Sequence, residues 1–256
     1  MTGNQNYNIP AGKDIRKHNI VLIWCKDFSV LFGSAVLSQT SDVFYSMSQT
    51  SEDSYIIRPT LHHFGVETRH LERMVDWYAK VLGMDTIYST SNTWGSDPSR
   101  PVGAAFVSND MAHHRMSILS PPELQEDTEK KAHVKLHHVA FEYVTIDDLL
   151  NSYVRIKKLG IEPILTTDHG PTTSFYYKDP DGNIVELFVD NFGNWEKSRE
   201  YMQSSADFQK NPLGTFVDSE KLVAARQAGM SFAEQHRRAY AGEFPPSRAM
   251  NAHDLA

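Results

Sequence analysis

The chain has 256 residues, with 40% apolar and 22% charged side chains, the balance of a soluble globular protein built as one large domain or two small ones. Its net charge of −7 argues against a nucleic-acid binder, which needs a basic face, and gives no reason to expect an anionic membrane as partner. A single cysteine, Cys25, rules out an intrachain disulfide, and no apolar run approaches the ~20 residues that span a bilayer, so a cytoplasmic location is expected.

Residues 1–56 are polar, weakly periodic and rich in Ser, Asn and Thr, which predicts a poorly ordered N-terminal arm. The apolar stretch Ile20 to Trp24 is short and is followed at once by Lys26 and Asp27, unlike the core of a signal peptide. Met47, just ahead of the patterned region, is an alternative start.

An internal repeat follows. Leu61-His62-His63-Phe64-Gly65-Val66-Glu67 returns in pattern as Leu136-His137-His138-Val139-Ala140-Phe141-Glu142. Each copy opens a similar unit. In the first, Leu71, Met74, Val75, Tyr78 and Val81-Leu82 recur at helical spacing up to Gly83. In the second, Ile146, Leu149-Leu150, Tyr153, Ile156 and Leu159 do so up to Gly160, with Thr145 as N-cap. Strand-like runs come next: Asp85 to Tyr88, Val102 to Val107 and Arg115 to Leu119, then Glu162 to Leu165, Ser174 to Tyr177 and Ile184 to Val189. Asp179-Pro180-Asp181-Gly182 reads as the hairpin turn before the last strand. The predicted class is therefore α+β: two tandem βαβββ modules, about 57–120 and 133–192, forming a cupped mixed sheet within a domain over 57–192. Residues 193–256 read as a helical extension. Asp218 caps one helix, and Ser231 with Glu234 makes a capping box for another. This tail is expected to pack on the sheet or on a partner chain, and a homo-oligomer is expected.

Twelve histidines, several in doublets, need a chemical reason. Pseudo-symmetry between the units would bring equivalent strand faces together and so converge His63 and His138. Glu186 lies inside the apolar run Ile184-Val185-Glu186-Leu187-Phe188, where an unpaired carboxylate is costly and calls for a cation or a strong hydrogen-bond partner. Two imidazoles and one carboxylate with vacant positions are the ligand set of non-haem iron(II) oxygenases.

The Leu-x-His pattern at Leu61, its copy at Leu136 and the segment Asp179-Pro180-Asp181-Gly182-Asn183-Ile184-Val185-Glu186-Leu187 resemble the vicinal oxygen chelate superfamily over about residues 58–192, most closely its type I extradiol ring-cleaving dioxygenases. The resemblance implies iron(II), with manganese(II) as the alternative, held by His63, His138 and Glu186 rather than by His62 or His137. It implies that an aromatic diol and O2 are the substrates, and that acid–base work falls to His113 (or His114), His169 and Tyr176. Other readings on the same fold are a hydroxyphenylpyruvate-dioxygenase-like enzyme, a glyoxalase- or epimerase-like enzyme and an aromatic-binding protein of the bleomycin-resistance type. The glyoxalase-type enzymes take a fourth ligand from the last strand of the first unit, yet Arg115-Met116-Ser117-Ile118-Leu119 has no Glu or Gln.

Overall fold

The computed structural model describes residues 20–25, 30–36, 58–90, 99 and 101–255. Within the segment expected as an unordered arm, β1 (Ile20–Cys25) and β2 (Val30–Val36) pair as an antiparallel hairpin. The remainder of that arm, Met47 included, lies outside the described residues.

Both predicted modules form. The first comprises β3 (Phe64–Glu67), α1 (Leu71–Leu82), β4 (Asp85–Thr90), β5 (Gly103–Ser108) and β6 (Met116–Ser120) in the sheet order β3-β6-β5-β4. The second comprises β7 (His138–Tyr143), α2 (Ile146–Lys158), β8 (Leu165–Asp168), β9 (Thr172–Lys178) and β10 (Ile184–Asp190). In each, the first strand runs parallel to the fourth and the other pairings are antiparallel, so the sequence repeat is a topological repeat. One shift from expectation has a local cause. β8 begins at Leu165 rather than Glu162, because Pro163 has no N–H to give to a ladder.

The modules form two mixed sheets, and among the described residues no ladder joins β3 to β7. Side chains join them instead. Met74, Tyr78 and Val81 of α1 share one apolar core with Leu149, Tyr153 and Ile156 of α2 and with Ile118, Phe175, Tyr177, Val185 and Leu187 from the sheets. The rings of Phe64 on β3 and Phe141 on β7 meet at 6.1 Å. The Arg155 guanidinium of α2 donates to the carbonyls of Lys80 and Val81, satisfying the C-terminal end of α1. The Tyr78 hydroxyl donates to Asp179 Oδ2 at 3.1 Å. Asp179 also accepts from the N–H groups of Asp181 and Asn183 and from the Asn183 side chain, which fixes the turn before β10. Burial pushes this carboxyl above the usual range.

Strand alternation divides each sheet into a core face and an open face. On β9, Phe175 and Tyr177 face the helices while Tyr176 faces away; on β10, Val185, Leu187 and Val189 enter the core while Glu186 does not. β3 alternates in the same way, with Phe64 and Val66 packed and Gly65 and Glu67 exposed.

The C-terminal extension is helical, as expected, with α3 (Trp195–Ser204), α4 (Ala206–Lys210), α5 (Ser219–Gln227), α6 (Phe232–Tyr240) and a 3-10 turn (Ala252–Leu255). Both anticipated caps are present: Asp218 Oδ1 accepts from the Glu220 and Lys221 amides, and Ser231 Oγ from the Glu234 amide. The sequence did not suggest β11 (Thr215–Phe216), which pairs with β8 and lengthens the second sheet to β11-β8-β9-β10-β7.

Two stability measurements follow from these contacts. Tyr78→Phe strips a donor from buried Asp179 and should cost about 1–3 kcal/mol, whereas the buried Tyr177 hydroxyl has no partner among the described residues, so Tyr177→Phe should be near neutral or stabilising in urea unfolding. Asp218→Ala should cost about 1 kcal/mol through loss of the α5 cap. Burial alone would raise the Asp218 carboxyl, but the amides of Lys221, Ser247 and Glu220 hold it below its ordinary value of 3.8. Its contribution is therefore full above that value and lost as pH falls through the lower folded value, so wild type and variant should converge in acid.

Candidate functional site

The six side chains singled out from the sequence fall into two groups, one on each module. On the open face of the second sheet, His138, Glu186, Tyr176 and His169 come together. His138 opens β7, and Glu186 lies on the adjacent strand β10, paired in register with Ala140. Tyr176 stands directly opposite Glu186 across the β9–β10 ladder. His169 sits in the tight connection between β8 and β9, where its N–H donates to the Thr172 carbonyl.

The contacts are specific. His138 Nε2 lies 3.0 Å from Glu186 Oε2, and the Tyr176 hydroxyl donates to Glu186 Oε1 at 2.9 Å. His169 Nε2 is 2.9 Å from the Tyr176 oxygen, and His169 Nδ1 is 2.8 Å from the Leu213 carbonyl of the tail. Glu186 is 9% exposed and His138 34%, so the carboxylate sits deep and the imidazole leads out to solvent. Burial would raise Glu186, but hydrogen bonds from His138, Ser174 and Tyr176 outweigh it and leave the carboxyl below its usual value. The same bond to Glu186 raises His138, against its partial burial. Burial lowers His169, keeping its ring neutral around pH 7 against the pull of Glu186, the Leu213 carbonyl and Asp168. Burial also pushes the Tyr176 phenol up, reinforced by the charge of Glu186.

His63 and His113 lie on the first module in a cluster of four imidazoles. His63 immediately precedes β3 rather than lying within it. His62 stacks on His113 at 4.6 Å, His63 meets His114 at 4.3 Å, and the His63 and His113 rings are 6.4 Å apart. Arg115 holds the loop beneath them, donating to the His62 carbonyl and pairing with Asp110. Partial burial and the surrounding imidazoles lower His114. The aromatic rings of Phe106 and Tyr88 continue outward from His114.

Among the described residues, no group of three or more His, Cys, Asp or Glu side chains is gathered closely enough to hold a metal ion. The donor chemistry nevertheless fits one. Ligand atoms about 2.1 Å from a common ion and at right angles to each other stand roughly 3 Å apart, the separation found between His138 Nε2 and Glu186 Oε2. His63 lies outside that pair, immediately ahead of β3, whose Phe64 ring meets Phe141 of β7. His137 is exposed, with Nδ1 2.7 Å from Nδ1 of His138.

Three contributors were not anticipated from the sequence. Ser174 bonds Glu186. Leu213 acts through its carbonyl, and Gly214 permits that approach. Only Asn211-Pro212-Leu213-Gly214 hinted at the last two, as a turn signature without a partner.

Residues 60–187 match the family model described as the Glyoxalase/Bleomycin resistance protein/Dioxygenase superfamily, and residues 1–37 match one described as Electron transfer DM13. Two curated relatives come from Rhodococcus globerulus. Biphenyl-2,3-diol 1,2-dioxygenase 3 is 35% identical over 72% of this chain and 91% of its own length. Biphenyl-2,3-diol 1,2-dioxygenase 2 is 35% identical over 73% and 92%. Among solved structures, a glyoxylase/bleomycin resistance protein/dioxygenase domain from a Frankia species aligns with a TM-score of 0.43 at 15% identity, covering 52% of this chain and 93% of that one. With paired βαβββ modules and an open sheet face bearing imidazoles around a buried carboxylate, the chain belongs to the Glyoxalase/Bleomycin resistance protein/Dioxygenase superfamily. Its curated relatives within that superfamily are dioxygenases, which supports an enzyme rather than a binding protein.

Proposed function

We propose that the chain is an extradiol dioxygenase that opens the ring of a catechol-type diol with O2, using iron(II) held by His138, Glu186 and His63. Manganese(II) suits the same donors. The observation that carries this reading is the convergence of His138, Glu186, Tyr176 and His169 on one open sheet face, each within 3.0 Å of the next. The relatives support the substrate class: both are named for a biphenyl-2,3-diol. β6 (Met116–Ser120) carries no Glu or Gln, so it supplies no fourth protein ligand of the glyoxalase kind.

Iron held there would supply the Lewis acidity and the electron relay that let the diol and O2 react. The remaining work belongs to the protein. The Tyr176 hydroxyl, now shared between Glu186 and His169, is placed to hydrogen-bond a phenolate oxygen of the diol. His169, neutral in its partly buried seat, accepts a proton from a substrate hydroxyl. His113 lies on the other module and stabilises negative charge as oxygen is reduced. Phe106 and Tyr88 offer aromatic surface beside His114 for the second ring of a biaryl diol.

The test is anaerobic iron reconstitution followed by a panel of catechols including a biphenyl-2,3-diol. A yellow ring-fission product near neutral pH is expected; its absence with iron bound at one equivalent defeats the proposal. Metal analysis of variants checks the ligands: His63→Ala, His138→Ala and Glu186→Gln should each abolish iron retention, while His137→Ala keeps most of it. Equal loss in His137→Ala would place the ligand on the wrong member of the doublet.

A further inference from the structure

We infer that the C-terminal extension fixes the tautomer of His169: the Leu213 carbonyl holds the ring proton on Nδ1 and leaves Nε2 as an acceptor facing Tyr176. A carbonyl oxygen only accepts, so the 2.8 Å contact between Leu213 O and His169 Nδ1 requires a hydrogen on that nitrogen. In a neutral ring the other nitrogen is then bare. The burial that lowers His169 favours this neutral form. Tyr176 consequently has one hydroxyl proton and two acceptors at 2.9 Å, His169 Nε2 and Glu186 Oε1. Whatever engages the Glu186 oxygen directs that proton to His169.

The approach of the tail is built in. Gly214 has φ +77°, and a Cβ there would stand 2.1 Å from the Asp168 carbonyl oxygen and 2.5 Å from His169 Cα. No other residue lets β11 lie so close beside β8, where Thr215 pairs with Asp168. The tail also grips the residue before His169 from a second direction. His236 of α6 contacts the buried Asp168 carboxylate at 2.8 Å, and that carboxylate accepts from the amide of Gly170 and the side chain of Asn191. The backbone around His169 is thus held by His236 and Leu213 of the tail together with Asn191 at the end of the second module. Leu213, Gly214 and His236 are positioning residues, acting through His169. Their importance for turnover rests on the ring-cleavage reading; the tautomer does not.

The deciding measurement is a long-range 1H–15N correlation of histidine in the full-length chain at pH 7.5, freed of metal, with His169 assigned by its loss in His169→Gln. A pyrrole-type Nδ1 and a pyridine-type Nε2 are expected. A protonated Nε2, in either the other tautomer or the imidazolium, overturns the inference. Leu213→Ala should leave the spectrum unchanged, because the side chain is 69% exposed and only the carbonyl acts; a tautomer change there counts against the inference. Gly214→Ala should mix the tautomers and, in iron-loaded enzyme, lower kcat about tenfold or more with KM within about twofold. If folded Gly214→Ala keeps the wild-type tautomer, the tail has no such role; if it does not fold, the wild-type spectrum still decides. A chain with the expected tautomer that opens no catechol would refute the ring-cleavage reading alone.

Discussion

The site depends on a carboxylate placed where an apolar strand faces away from its helices. Glu186 lies in β10 with core residues on both sides in sequence, and alternation turns it to the open face. At 9% exposure it cannot remain ionised without partners, and three hydrogen bonds converge on it from β7 and β9. The neighbouring strands are therefore committed to polar residues at those positions: His138 next door, Tyr176 directly across, Ser174 two residues further on. One register slip would exchange Tyr176 for Tyr177 or Phe175 and leave the carboxylate facing hydrocarbon or solvent.

Much of this was legible in the residues. The repeat of a His doublet ahead of a helical pattern gave two βαβββ modules, and the helix ends at Gly83, Thr145, Asp218 and Ser231 follow local capping chemistry that a sequence states directly. Glu186 was conspicuous because a lone acid in an apolar run needs a reason. The aromatic trio Phe175-Tyr176-Tyr177 resolved by parity, with the middle residue alone reaching the site.

What escaped the sequence involves long-range approach. Nothing in Thr215-Phe216 marks a two-residue strand, because its ladder is supplied by β8 rather than by its own propensity. The Leu213 carbonyl has no side-chain signature. That the His63 and His113 rings stand with His62 and His114 depends on how the β5–β6 loop folds over β3, which spacing does not encode. β3 and β7 belong to separate sheets and meet through Phe64 and Phe141, a contact that spacing does not encode.

That meeting has a mechanical consequence. Because the boundary between the two halves is made of a shared apolar core, packed rings, a guanidinium cap and a tyrosine–aspartate bond, no strand ladder among the described residues crosses it. Each half keeps its own backbone pairing, so His63, just ahead of β3, and His138, at the start of β7, belong to separate sheets. The Tyr78–Asp179 bond ties α1 to the turn that leads into β10, the strand that carries the carboxylate.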